Sequence, residues 1–404
     1  MSVQELKAQI KKYTGQGQDL LNIKDSLKTE ARHVTYERPD WKKIDIDFLS
    51  SYYVQDGNNA AVTGGIGTEY LTDFTQKINI SFPTSPKLRW NVNAAYDYYS
   101  SASTDNIDNV RSSDSSSDIR SQLNVGLQYN QDNQHSYGLT LGTSMEWDYS
   151  SLLAAMNYSL SSLDANRRLD INAQVFYDTW HLVFPRELRG DVRLPTNKRQ
   201  SYNLSFNYAQ VINRKMQISL NAEATYMRGL LSTPFHRVYF QEQETASIEI
   251  LPDNRLKLPF AIRANMYLSE KFILRTYYRY YMDSWGMQGH TVNIELPIKL
   301  TRFFAVYPHY RFHTQSAIDY FKPYKAHSIN DVYYTSDFDL SELHSHTYGF
   351  GVLYGRADGL LKIKTPFKKG SYLVLDRIDL KYSHFDRSTG LSADIISLGL
   401  KLGF

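Results

Sequence analysis

Residues 395–404 read I-I-S-L-G-L-K-L-G-F. Leu398, Leu400, Leu402 and the terminal Phe404 share one parity, while Ser397, Gly399, Lys401 and Gly403 share the other. A period of two, with one greasy face and one polar or empty face, is the signature of a β-strand. A strand that carries its apolar alternation to a final aromatic residue suits a closed barrel, in which the last strand pairs with the first. If so, the same alternation must recur along the chain.

It does. Ile44, Ile46 and Phe48 alternate with Asp45 and Asp47, and Leu88, Trp90, Val92 and Ala94 with Arg89, Asn91 and Asn93. Leu152, Ala154, Met156 and Tyr158 alternate with Asn157 and Ser159, and Ile171, Ala173 and Val175 with Asn172 and Gln174. The same holds for Tyr202, Leu204 and Phe206 against Asn203 and Ser205, and for Val292, Ile294 and Leu296 against Asn293 and Glu295. A sandwich also alternates, so the links between strands decide. Short links are inferred at 83–86, 131–134, 164–167, 213–214, 269–271 and 301–302. Longer polar links at 56–69, 101–118, 182–197, 229–256 and 316–343 alternate with them. Short periplasmic turns on one rim and long extracellular loops on the other describe an outer-membrane barrel. The expected fold is therefore all-β: a transmembrane, antiparallel, up-and-down barrel of about 16 strands (roughly 14–18). The link 357–371 is too long for its periplasmic slot.

Composition agrees. Mean hydropathy is -0.47, and no stretch offers the ~18 uncharged apolar residues that a helical span requires. A membrane strand needs only about 9–11 alternating residues. The 32 Tyr, 19 Phe and 5 Trp suit interfacial girdles, with outer-membrane lipids and the barrel-assembly machinery as partners. Absence of cysteine removes disulfides and thiolate metal sites, and a net charge of +3 is too small to argue for nucleic acid. Residues 42–404 form the expected barrel. Residues 1–41 are Lys- and Glu-rich with helical spacing and predict a mobile helical extension on the periplasmic side. They contain no apolar signal-peptide core, which implies a mature start or a misplaced one.

A lumen of this width is not filled by opposing side chains. The links 229–256 and 316–343 are expected to fold inward or to gate it. Its inferred wall carries Arg263, Arg275, Arg279, Glu295, Lys299, His309, Arg311 and His313. Such a stripe selects anions or binds a phosphate; the alternative is a wall of mixed charges that pair with one another. His309 and His313 lie about 13 Å apart on a strand, too far to share a metal, whereas His344 and His346, about 7 Å apart, could share one given a third ligand. The loop containing Asp105, Asn106, Asp108, Asp114 and Asp118 has calcium-type oxygens but lacks an EF-hand's glycine and glutamate. No cofactor or metal is expected, and no G-x-S-x-G is present.

Two segments stand out: D-G-N-N-A-A-V-T-G-G-I-G-T-E (56–69) and T-P-F-H-R-V-Y-F (233–240). Gly64, Gly65 and Gly67 permit backbone conformations that other residues avoid, which suggests an ordered loop. His236 and Arg237 could dock on it. Candidate ligand or loop-docking residues are Asp56, Asn58, Asn59, Thr63, Glu69, His236, Arg237, Asp283, Trp285 and His290.

Segments 50–69, 233–240, 275–286 (R-T-Y-Y-R-Y-Y-M-D-S-W-G), 290–299 (H-T-V-N-I-E-L-P-I-K) and 394–398 (D-I-I-S-L) resemble the domain-of-unknown-function 3570 family of Gram-negative outer-membrane barrel proteins. The resemblance implies an outer-membrane location, a single barrel over about residues 42–404 and no established activity. It further implies a lipoprotein or a periplasmic redox protein as partner. The leading expectation is a non-enzymatic channel or a translocation and assembly platform with unknown cargo; the alternative is a rim-located hydrolase.

Overall fold

A computed structural model describes residues 43–101, 117–188, 195–356, 358–364 and 372–403. The expected helical extension 1–41, the terminal Phe404 and the Asp105–Asp114 oxygens lie outside these residues, as do parts of the links 101–118, 182–197 and 357–371.

The chain runs through β1 (Asp45–Asp56), β2 (Leu71–Pro83), β3 (Leu88–Ser101), β4 (Ser117–Asn130), β5 (His135–Met145) and β6 (Tyr149–Ser161). It continues with β7 (Arg167–His181), β8 (Thr196–Asn213), β9 (Met216–Gly229) and the two-residue strands β10 (Arg237–Val238) and β11 (Ser247–Ile248). Next come β12 (Asn254–Tyr267), β13 (Ile273–Asp283), β14 (Gln288–Glu295), β15 (Ile298–Lys299) and β16 (Phe304–Gln315). The last four are β17 (Leu343–Gly355), β18 (Leu361–Lys364), β19 (Tyr372–Arg387) and β20 (Leu391–Gly403).

Apart from the β10–β11 pair, these strands make one antiparallel sheet that closes on itself, because β1 pairs with both β2 and β20. Closure leaves no unpaired sheet edge, the condition for a sheet in lipid. Two staves are broken in sequence but continuous in space. Pro297 cannot donate to a ladder, and β15 resumes beyond it against β16. Similarly β18 carries on from β17 by pairing with β19, so four residues of the over-long link 357–371 belong to the wall. Counted as staves, the barrel has 16 strands.

Register assigns the faces. Leu398, Leu400 and Leu402 sit opposite Ser50, Phe48 and Ile46, and Ser397, Gly399 and Lys401 opposite Ser51, Leu49 and Asp47. On the first face, exposed apolar side chains encircle the barrel, among them Leu141 at 58%, Leu152 at 62% and Met156 at 68% exposure. An unbroken apolar belt of this kind is a lipid-facing wall. On the second face most side chains are polar, with a few such as Leu49 apolar, and they line the lumen. Tyr307 lies across Gly351, whose missing Cβ leaves the ring its place, and donates its hydroxyl to Asp379 of β19. His309 passes the same way beside Gly349, bringing its Nε2 3.1 Å from Ser383 Oγ.

Antiparallel alternation puts the described links 57–70, 146–148, 182–188, 230–253, 284–287, 316–342 and 388–390 on one rim. The links 57–70, 182–188, 230–253 and 316–342 pack on one another and on lumen-facing side chains, and they build the candidate site.

Candidate functional site

The Gly-rich loop after β1 coils into a short 3-10 turn, Ala61–Thr63, that ends on Gly64 at φ 85°. Gly64, Gly65 and Gly67 all have positive φ, a region that only glycine enters without strain. Thr63 is buried and its hydroxyl donates to the Ile66 carbonyl, with the Ala60 carbonyl 3.1 Å away, so it braces its own loop. Asn59 Nδ2 donates to Thr389 O at 2.5 Å, tying the loop to the β19–β20 turn. Glu69 faces Arg387 of β19 at 3.5 Å. Burial holds the Glu69 carboxyl above the usual range, against the lowering effect of Arg387.

Arg237 joins three links. Its side chain is 4% exposed; Nε and Nη2 meet the Glu187 carboxylate at 2.5 and 3.0 Å, and Nη1 donates to Val62 O at 2.5 Å. Around it Ala60, Val62, Val183 and Phe235 form a small apolar core. The Arg237 guanidinium lies over the Phe235 ring, 5.7 Å from its centroid, so the cation has an aromatic contact as well as an ion pair.

Glu249 is the polar centre of the cap. Its side chain is 2% exposed and its Oε1 accepts from the Thr233 N–H at 2.7 Å. Oε2 accepts from the Thr335 hydroxyl and lies 3.4 Å from His236 Nδ1. A carboxylate this deep requires its donors, since each lost one would leave a desolvated charge. Beside it, His327 is 1% exposed and bridges Asp331 Oδ2 at 3.0 Å and Thr335 O at 2.9 Å. Asp337 caps the turn Phe338–Leu340 by accepting from the Asp339 N–H. Burial pushes its carboxyl up to about 6; His236 opposes that shift, and Asp339 and Glu249 add to it. Asp339 accepts from Arg387, and Gln315 Nε2 donates to the carbonyls of Asp339 and Ser341 at 2.9 and 2.8 Å. These contacts bring 316–342 onto the inward faces of β16 and β19. They leave a cavity of 360 Å³ bounded by Tyr53, Glu69, His236, Asp337, Asp339 and Arg387.

Asp283 and Trp285 anchor the far side of the mouth. The Asp283 side chain is 0% exposed, pairs with Arg255, and accepts from the Tyr281 hydroxyl at 2.7 Å. Trp285 Nε1 donates to Asn254 O at 2.8 Å, and the Arg255 guanidinium sits 4.2 Å from the indole. Leu251, Met287 and Ile318 complete a second apolar core with Trp285.

Three expected members of the site are elsewhere. His290 turns to the lipid-facing side, its Nδ1 2.9 Å from the Tyr278 hydroxyl, because its register partner Tyr280 is outward. Asp56 and Asn58 stay exposed at the rim. His344 and His346 also face outward, and His346 Nδ1 meets the Tyr310 hydroxyl at 2.8 Å. Glu187, Glu249, His327, Asp337 and Arg387 went unrecognised in the sequence. Glu187, Glu249 and Arg387 find partners in other links, up to 318 positions away, and the short-range contacts of His327 and Asp337 have no recognisable spacing, so no local pattern marks any of them.

Deeper in the lumen the wall is divided. Between β4 and β7 a 530 Å³ recess is lined by Asn124, Asn157, Asn172, Gln174, Gly126 and Gly138, with Arg168 and Asp170 at its edge. Between β12 and β16 a 740 Å³ recess holds Arg263, Arg275, Arg279 and Arg311 with Glu295. Of the remaining wall residues, His313 has its Nδ1 2.9 Å from Thr291 Oγ1, and Lys299 pairs in register with Ala305 near the opposite rim.

No curated protein matches the chain in sequence. Among solved structures, the siderophore receptor PirA from Pseudomonas aeruginosa is similar at 10% identity, covering 91% of this chain and 81% of that one, with a TM-score of 0.43. OccK1 (OpdK) of Pseudomonas aeruginosa gives 7% identity, 90% and 98% coverage and a TM-score of 0.41. A bacterial polysaccharide outer membrane secretin gives 9% identity, 90% and 98% coverage and a TM-score of 0.47. Residues 92–360 match the family model described as "Protein of unknown function (DUF3570)". Segments 233–240, 275–286 and 290–299 fall inside that span, and 50–69 and 394–398 fall outside it. With well over half of its length matched, the chain belongs to the DUF3570 family.

Proposed function

We propose that this protein is an integral outer-membrane barrel that gives a polar solute a path through its lumen, with the packed loops as a cap at one mouth. The observation that carries the reading is the pairing of an apolar outer belt with a polar, cavity-bearing lumen in one closed wall. A barrel built only as an anchor has no need of a lined, recessed interior. The cap supports a gating role: 230–253 and 316–342, which form most of it, are the longest links on their rim, yet they are held by buried charge pairs and two small apolar cores. Long links with such internal order usually carry function.

A rim hydrolase finds less support. His309 and Ser383 are at hydrogen-bond distance, but His309 Nδ1 finds no partner among the described residues, so nothing orients the ring as a base. The non-enzymatic reading is preferred on that ground. Reconstitution of the folded protein into planar bilayers tests it. Discrete current steps are expected, and replacing 318–339 by a short Gly-Ser linker is expected to enlarge them. Neither current nor solute flux, with or without the cap, would sink the proposal.

A further inference from the structure

Arg263, Tyr277, Asn293 and Arg311 form a single row across four neighbouring staves: Arg263 is opposite Tyr277, Tyr277 opposite Asn293, and Asn293 opposite Arg311. Two residues to either side of Tyr277 on β13 lie Arg275 and Arg279, on the same lumen face. Strands are about 4.8 Å apart and residues two positions apart about 7 Å. Four guanidinium-bearing side chains therefore surround one tyrosine and one asparagine, all within reach of the same 740 Å³ recess.

The charge there is unbalanced. Glu295 takes Arg275 at 2.6 Å. Among the described residues no carboxylate lies at ion-pair distance from Arg263, Arg279 or Arg311. Instead Arg263 sits 5.5 Å from the Tyr277 ring and Arg279 5.4 Å from the Tyr281 ring. A stacked guanidinium is held by its flat face, which leaves its N–H edge available. Like charges gathered on a wall repel one another unless an anion is shared between them. Guanidinium forks match the oxygen pairs of phosphate better than a lysine would, and Asn293 and the Tyr277 hydroxyl add neutral donors. The facing amide wall between β4 and β7 shows that lumen residues here need not be charged, so the cluster is a local feature.

We infer that this recess is a binding station for a multivalent oxyanion of the phosphate type, held between Arg263, Arg279 and Arg311 and oriented by Tyr277 and Asn293. The inference rests on the reading of the lumen as a solute path and names the class of solute that path favours.

The test uses the full chain, folded in detergent and titrated calorimetrically with inorganic pyrophosphate at low ionic strength, where screening is weak. Saturable one-to-one binding is expected. The triple variant Arg263→Gln, Arg279→Gln, Arg311→Gln is expected to bind at least about tenfold more weakly. A control, Lys77→Gln, Lys381→Gln, Lys401→Gln, removes the same charge from another sector of the lumen and is expected to stay within about threefold of the parent. Both variants must retain the heat-modifiable gel mobility of a closed barrel; if the triple does not fold, each single Arg→Gln variant is titrated in its place. No binding by the parent, or equal losses in variant and control, overturns the station. Bilayer currents separate the two readings. A barrel that binds pyrophosphate but passes no ions keeps the station and loses the channel. One that conducts without binding keeps the channel and loses the station.

Discussion

Arg237 grips Glu187 through two parallel bonds of 2.5 and 3.0 Å while its third nitrogen holds the Val62 carbonyl, so one guanidinium links three separate connections of the same rim. Arginine's rigid fork suits this geometry, and lysine, a point charge, cannot reproduce it. Removing Arg237 takes this donor from the Val62 carbonyl and this ion pair from Glu187, itself half exposed. We expect Arg237→Ala to loosen the cap by roughly 1–3 kcal/mol, with Arg237→Lys recovering only part. Hydrogen exchange of 57–70 and 182–188 reads the effect, and unchanged protection in both segments would show that the grip is incidental.

Gly65 has φ 86°, and a Cβ there would stand 2.7 Å from the Ser336 carbonyl oxygen. That obstacle is backbone and cannot swing away. Gly65→Ala should therefore undock the Gly-rich loop from 316–342, at a cost of about 1 kcal/mol for the left-handed conformation plus the clash. Faster proteolysis within 57–70, with an unaltered barrel melting temperature, is the expected signature.

Adjacent residues on β5 should respond oppositely to the same change. Leu141 faces lipid and Thr140 faces the lumen. Leu141→Arg places a cation against hydrocarbon, at about 2–4 kcal/mol near the bilayer midplane. Thr140→Arg meets a polar recess and should fold nearly as well as the parent. Folded fractions after refolding into lipid vesicles compare them, and equal yields would contradict the face assignment.

Acid should tighten the cap before it loosens it. Asp337 has a carboxyl raised by burial to about 6, so the docked state binds its proton more tightly than an undocked one. The docking stability gained in this way is complete below the ordinary carboxyl value near 3.9 and is lost as pH rises through about 6. Asp331 acts in the other direction: Lys322 and His327 hold it down to about 2, and its contribution is lost as pH falls from the ordinary value toward that point. Exchange protection of 333–341 should rise between pH 7.5 and 5, and Asp337→Asn should flatten that rise. A decrease over the same range would refute the assignment.

The wall was legible in the sequence because strand alternation is a local rule: whether residue i faces lipid predicts residue i+2. Leu398, Leu400 and Leu402 could be placed on the outer face without knowing their partners. The lumen cluster was legible for the same reason, with Arg263, Arg275, Arg279 and Arg311 falling on inward parity. His290 is close in sequence to the mouth residues Asp283 and Trp285, but its own parity places it beside Val292 and Ile294 on the lipid face.

The cap is different in kind. Gly64, Gly65 and Gly67 announced an ordered turn, since only glycine enters that backbone region freely. Nothing near Glu249 announced that Thr233, Thr335 and His236 would satisfy it, or that Arg387 would meet Glu69 from 318 positions away. By itself the sequence determined a closed barrel wall and the chemistry of its two faces, because those follow from periodicity over a few residues. Only the tertiary structure decided which loop charges are buried and with what partners, because those pairings depend on how distant loops come together over one mouth.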